Sequence, residues 1–183
     1  MDYNYTHIIE TAAVSGGGGG GGVSVHEWAL IKSNKLSFLP ELLDYCKANA
    51  CGKYGKSWAC PPACGTMEEQ REKILRYENI LVFTSKHELE DSFDHEGMTR
   101  GRERHNLLAR ELSKKFDNAP VYGAGACPVC AVCAFPAPCP FPGKMIGSVE
   151  AAGIDVTELS RTAGIAYNNG PNTVTYFSII LLS

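Results

Sequence analysis

All eight cysteines of this 183-residue chain fall into two short runs. The first run, CKANACGKYGKSWACPPACG over residues 46–65, holds Cys46, Cys51, Cys60 and Cys64 at the spacing C-x4-C-x8-C-x3-C. The second holds Cys127, Cys130, Cys133 and Cys139 at C-x2-C-x2-C-x5-C. Four thiolates per run is the ligand count of a tetrathiolate zinc site or of an iron–sulfur cluster. Disulfide staples are the competing use of cysteine. A chain of this length with 44% apolar residues buries a core without them, and in a reducing cytosol tight cysteine groups read as metal ligands.

The second run reads as an iron–sulfur site, with structural zinc as the alternative. Three cysteines at C-x2-C-x2-C let successive thiolates converge on one cubane from a single turning segment, and a more distant fourth followed by Pro140 completes the ferredoxin-type pattern, lengthened by two residues. Because such runs share ligands between clusters in two-cluster ferredoxins, the assignment of one cysteine stays open to exchange. In the first run, Cys46 with Cys51 and Cys60 with Cys64 also resemble the paired ligands of structural zinc, so Zn2+ stays open there. Gly52 and Gly55 allow the positive φ that aims backbone amides at an anionic centre. Lys53 and Lys56 are candidates to offset its charge. Tyr54 and Trp58 either shield it from water or serve as ordinary core residues.

These two segments, CKANACGKYGKSWACPPACG and GACPVCAVCAFPAPCPFPGKMIGSVEAAGIDV, resemble the predicted metal-binding proteins of domain-of-unknown-function family 2284. The resemblance runs from about Glu27 to the C-terminus. It implies a small iron–sulfur protein with all eight cysteines as candidate ligands and no established reaction. Nothing in it extends to the N-terminal segment.

The expected activity is one-electron transfer through two 4Fe-4S clusters, with a redox partner protein or a small-molecule electron acceptor. One alternative is a small reductase whose substrate lies beside one cluster, near Lys144, Ser148 and Glu150; these three equally suit a helix surface. Another is a zinc-stapled binding module. A formal net charge of -3 argues against broad nucleic-acid or membrane surfaces. The longest apolar stretch, residues 176–182, is far below the roughly 20 residues that cross a bilayer, and no secretory signal is evident, so a cytoplasmic location is expected. The five histidines show no metal-binding pairing. Arg100, Arg102, Arg104 and Arg110 read as a solvated helix face, or as a docking surface for an acidic partner or an anionic substrate.

The elements that must position these residues are legible in outline. Residues 6–14 read as a short strand, leading into seven consecutive glycines at 16–22 taken as a flexible loop or a modified segment. That run matches G-x-G-x-x-G only as any polyglycine does. A strand is expected at 26–31, then a helix through 41–46 that delivers Cys46 from its C-terminal end. Thr66 and Glu69 form a capping-box pattern opening a helix at 67–77. The unalternating run 80–84 predicts a strand covered on both faces. A long helix over 95–116 follows, then a strand at 121–125 that leads into the second run. Two short helices, 144–152 and 156–163, and a last strand at 173–182 complete the chain. The strand–helix–strand order predicts a right-handed parallel crossover. The expected fold is therefore α/β, a mixed and mostly parallel sheet of four or five strands flanked by helices, with two cysteine-rich loops. Residues 1–22 form an N-terminal segment and 23–183 a single metal-binding domain.

Overall fold

The run of apolar residues at 80–84 becomes the middle of a long strand, β4 (Asn79–Glu88), in which Ile80 to Ser85 are all buried. The computed structural model describes residues 3–15 and 22–183. The reading of the glycine run as a flexible loop falls on residues 16–21, outside the described residues.

β4 pairs antiparallel with β3 (Trp28–Lys32) on one side and, over ten residues, with β7 (Thr173–Leu182) on the other. β7 also pairs antiparallel with β5 (Val121–Gly123), and β5 pairs parallel with β6 (Gly147–Ser148). The order is β3-β4-β7-β5-β6. Five strands of mixed direction flanked by helices match the expected class, but the expected preponderance of parallel pairs does not hold. Only β5–β6 is parallel. The cause is the last strand: β4 and β5 run the same way across the helix that joins them, but they leave a gap, and β7 fills it in the opposite direction, as in a split βαβ unit. A continuous apolar run shows that both faces are covered and carries no signal of direction.

The sheet has an apolar layer on each face. On one, Leu81 and Phe83 of β4 and Ile180 and Leu182 of β7 pack against Leu108, Ala109 and Leu112. These belong to α4 (His95–Lys115), whose first turn is capped by Asp94. On the other, Ile80, Val82, Ile179 and Leu181 meet Ile74 of α3 (Met67–Leu75) and Leu159 of α5 (Val156–Ala163). Strict alternation along the strands sends neighbours to opposite layers.

The N-terminal residues expected as a strand form a helix instead, α1 (Tyr3–Glu10), followed by β1 (Ala13–Val14), which pairs with β2 (Val23–Ser24). Tyr5, Ile8, Ile9 and Ala12 recur at the helical period and all join the α4 layer, a periodicity that the β-branched pair of isoleucines obscures. The helix expected at 144–152 is absent. Residues 142–144 make a 3-10 turn, and the chain then pairs alongside β5 as β6, with Gly147 where a Cβ would run into the Tyr122 ring. Among the described residues no helix is long and apolar enough to cross a membrane.

The capping box at the start of α3 forms as expected: the Thr66 hydroxyl accepts from Glu69 N and the Glu69 carboxylate accepts from Thr66 N. Because this cap follows Cys64 by two residues, it also fixes the end of the first cysteine run. A Thr66→Ala variant should lose about 1 kcal/mol in urea denaturation. An unchanged midpoint would show that the cap contributes nothing.

Candidate metal centre

The first run lies between two helices. α2 (Glu41–Ala48) presents Cys46 in its last turn and ends on Asn49, which adopts the left-handed conformation at φ 56°. The Asn49 side-chain oxygen accepts from Tyr54 N at 3.0 Å. Gly52 and Gly55 take the positive φ values expected of them, 70° and 64°, and Gly55 N donates to Pro61 O at 2.9 Å, closing the loop on itself. Cys64 N donates to Cys60 O at 3.1 Å, which sets these two cysteines one helical turn apart. Behind them, the Gln70 amide donates to the Cys64 carbonyl and accepts from the Tyr122 hydroxyl at 2.9 Å. α3 and the sheet thereby hold the loop.

The four cysteines of this run share one electrostatic neighbourhood. Burial pushes the Cys60 thiol up to about 11, opposed by a hydrogen bond with Ser57 and reinforced by Cys51, Cys64 and Cys46. Burial, then Cys51 and Glu150, raises Cys46. Cys64 is raised by burial and by Cys46. The raised thiols of Cys46, Cys60 and Cys64 favour the protonated form, which a cationic metal core would displace. Among the described residues, no three His, Cys, Asp or Glu side chains converge closely enough to hold a single metal ion.

The second run leaves the end of β5. Asn106 of α4 donates to Ala124 O at 3.1 Å, and its other side-chain atom fills the space over Gly123 where a Cβ would sit. Gly125, at φ 72°, donates to Glu150 at 3.4 Å and lies under the Arg102 side chain. Ile146 N donates to Cys127 Sγ at 3.5 Å. Burial alone would raise Cys133, but hydrogen bonds from the backbone at Phe135 and Trp58, from Ser57 and from the backbone at Ala134 outweigh it and hold the thiol below its usual value. Cys130 and Cys139 are half-buried in the same loop.

The two runs interlock. Trp58 Nε1 donates to Ala137 O at 3.0 Å and its ring meets Phe135 edge-on at 5.1 Å between centroids. Ser57 acts on the Cys60 thiol of one run and on the Cys133 thiol of the other. Beside this junction opens a cavity of about 620 Å³, bordered by Cys64 and Cys139 and walled by Trp58, Tyr122 and Ser148, with Lys73 at its edge. Burial, then Cys64 and Tyr77, pushes the Tyr122 hydroxyl up to about 12, so it is a neutral hydrogen-bond donor there.

The remaining sequence candidates separate. Ser148 is buried and donates to Glu150 at 2.7 Å, and Glu150 acts on both runs through Gly125 and Cys46. Lys144 lies elsewhere, exposed, its ammonium 5.3 Å from the Phe141 ring centre, in a smaller depression shared with Arg110 and Lys114. Lys53 and Lys56 are exposed on the loop between Cys51 and Cys60. Ser57, Gln70 and Tyr122 escape the sequence reading. Gln70 alone carried a signal, as a polar residue four positions after the Thr66 cap, in step with Ile74 on the buried side of α3.

A family model described as a predicted metal-binding protein (DUF2284) matches residues 29–182. No curated protein and no solved structure matches the chain.

Proposed function

We propose, from the premise that the chain belongs to this predicted metal-binding family, that it is an iron–sulfur protein carrying two 4Fe-4S clusters and transferring single electrons. Cys46, Cys51, Cys60 and Cys64 would hold one centre, and Cys127, Cys130, Cys133 and Cys139 the other. The observation that carries this reading is the first run. Cys51, Cys64 and Cys46 all act on Cys60, and Cys51 acts on Cys46, so the four cysteines share one electrostatic neighbourhood. A cubane spreads them over four irons, and all-cysteine ligation leaves no open metal position, which suits electron transfer.

When bound, such clusters supply reversible one-electron redox chemistry. The chain's own residues set its terms. Amide and hydroxyl hydrogen bonds at Cys133 favour the more negative reduced state and raise the potential on that side. Trp58 and Phe135 keep water from the junction between the loops. Glu150 adds negative charge near Cys46 and pulls the potential the other way. Working thiolates of this kind favour a reducing, cytoplasmic compartment.

The cavity favours a second reading, a small iron–sulfur reductase. A mostly apolar space that touches one cysteine of each run is suited to an apolar electron acceptor, with Ser148 and Lys73 as its polar contacts. Anaerobic reconstitution followed by metal and sulfide analysis tests both readings: about eight irons and eight sulfides per chain are expected, with charge-transfer absorption in the visible. A colourless protein that takes up only zinc would overturn them.

A further inference from the structure

A second cavity, of about 630 Å³, opens away from the cysteine loops, where α4 crosses the end of β4 beside the chain at residues 22–26. Its character is the reverse of the first. Among the described residues its lining includes no Phe, Tyr, Trp, Leu, Ile or Met, and its charged groups are Lys86, Arg100 and Arg104 against one carboxylate, Glu88. In a chain of net charge -3 this concentration of cations runs against the whole.

The helix builds the hollow. Gly97, Arg100, Gly101 and Arg104 recur at i, i+3, i+4 and i+7 and so share one face of α4. The two glycines leave the space and the two arginines rim it. Gly101 is required by contact, since a Cβ there would come within 3.0 Å of His87 Cγ and 3.2 Å of Tyr176 Cε2. The amide end of α4 is not the feature at work, because Asp94 already caps it, accepting from Gly97 N at 2.7 Å.

Two of the cations are partly spoken for: Lys86 lies 3.0 Å from Glu88, and Arg100 lies 3.4 Å from Glu96. Arg104 is half-buried and forms no salt bridge among the described residues. Its guanidinium acts on His87, which burial and Arg104 together hold at a pKa of about 4, so the ring is neutral. That ring is pinned from behind. His87 Nε2 bonds to Ser85 Oγ at 2.8 Å, Ser85 Oγ to His105 Nδ1 at 2.8 Å, and His105 Nε2 to Ser178 Oγ at 2.7 Å. A half-buried arginine with no carboxylate partner among the described residues, next to a fixed neutral imidazole in a polar hollow, is suited to hold an anion.

We propose that this cavity binds a phosphate monoester on a small polar carrier. Arg104 provides the fork of N–H donors that matches a phosphoryl group, and Lys86 and Arg100 add charge that their exposed carboxylates do not cancel. Among the described residues the only rings in the lining are the His26 and His87 imidazoles, a smaller platform for a nucleobase than Phe, Tyr or Trp. The site is independent of the metal reading.

Calorimetric titration of the full chain with glycerol 3-phosphate at fixed ionic strength tests this. Saturable binding is expected below about 10 mM, weakened at least about tenfold in Arg104→Gln and less in Arg104→Lys. Arg110→Gln, on the same helix outside this cavity, should leave it unchanged. Should Arg104→Gln fail to fold, Arg100→Gln, at an exposed position, should still weaken binding by about threefold. No saturable heat, equal weakening by Arg110→Gln, or undiminished binding in the cavity variants would overturn the site. Equal binding of succinate would overturn the phosphate assignment. Adenosine monophosphate binding more than about tenfold tighter than glycerol phosphate would overturn the small carrier.

Discussion

Replacing Cys60 with serine should halve the metal content, from about eight irons per chain to about four, and roughly halve the visible absorption. Cys60 is the most buried of the eight cysteines, at 7% exposed, and Cys51, Cys64 and Cys46 all act on it. A serine hydroxyl is a far poorer ligand than a thiolate and loses its proton much less readily. The second run leaves β5 on its own loop and retains its four thiols, so its centre should survive. The fold should survive as well: neither apolar layer of the sheet includes a residue of 46–65, and the second run contributes only Cys127 at the margin of one layer. Metal analysis of the anaerobically reconstituted variant, with its far-UV circular dichroism as the folding check, gives the answer. Iron unchanged at about eight would remove Cys60 from the ligands. Loss of all iron from a folded variant would mean that the interlocked loops build one shared assembly and that two independent centres are the wrong description.

The elements flanking the cysteines were legible because their signals are local. Thr66 and Glu69 announce α3, Asp155 caps α5 by accepting from Thr157 and Glu158 backbone groups, and the spacing of Leu108 and Leu112 marks the buried face of α4. Ser148 and Glu150 lie in a short strand and a turn rather than on the expected helix, joined by a hydrogen bond. What remained hidden depends on contacts between distant parts of the chain. Nothing in residues 173–182 tells that they enter between β4 and β5, and with that placement goes the direction of most of the sheet. The Trp58–Ala137 hydrogen bond spans 79 positions, so a sequence that shows two separate runs gives no sign that they meet. Arg104 reads as one of four arginines on a polar helix until Gly97 and Gly101 are seen to open a hollow beside it.

The chain's stability should fall as the pH drops from 7 to 5, with one buried residue responsible for much of the loss. His105 is fully buried on α4, between Ser85 and Ser178, with Phe83 stacked 5.5 Å away. Burial above all, and then His87, hold its pKa at about 3, against a small upward contribution from the Phe177 backbone. The folded state therefore keeps the ring neutral, whereas the unfolded chain takes up a proton near the ordinary value of 6.5. A depressed histidine stabilises fully above that value, and its contribution is lost as the pH falls from there toward about 3. At pH 5 the loss for this one group is about 2 kcal/mol. His87, at about 4, acts in the same direction but more weakly, being partly exposed. The depressed carboxylates Glu78 and Asp94 enter only below their ordinary values of 4.5 and 3.8, so the interval from 6.5 to 5 isolates the histidines. Urea midpoints followed by circular dichroism should show the decline. A His105→Phe variant, destabilised at pH 7 because two serine hydroxyls lose their partner, should show a clearly shallower slope. An equal slope in the variant would mean that His105 is not the group that titrates on unfolding.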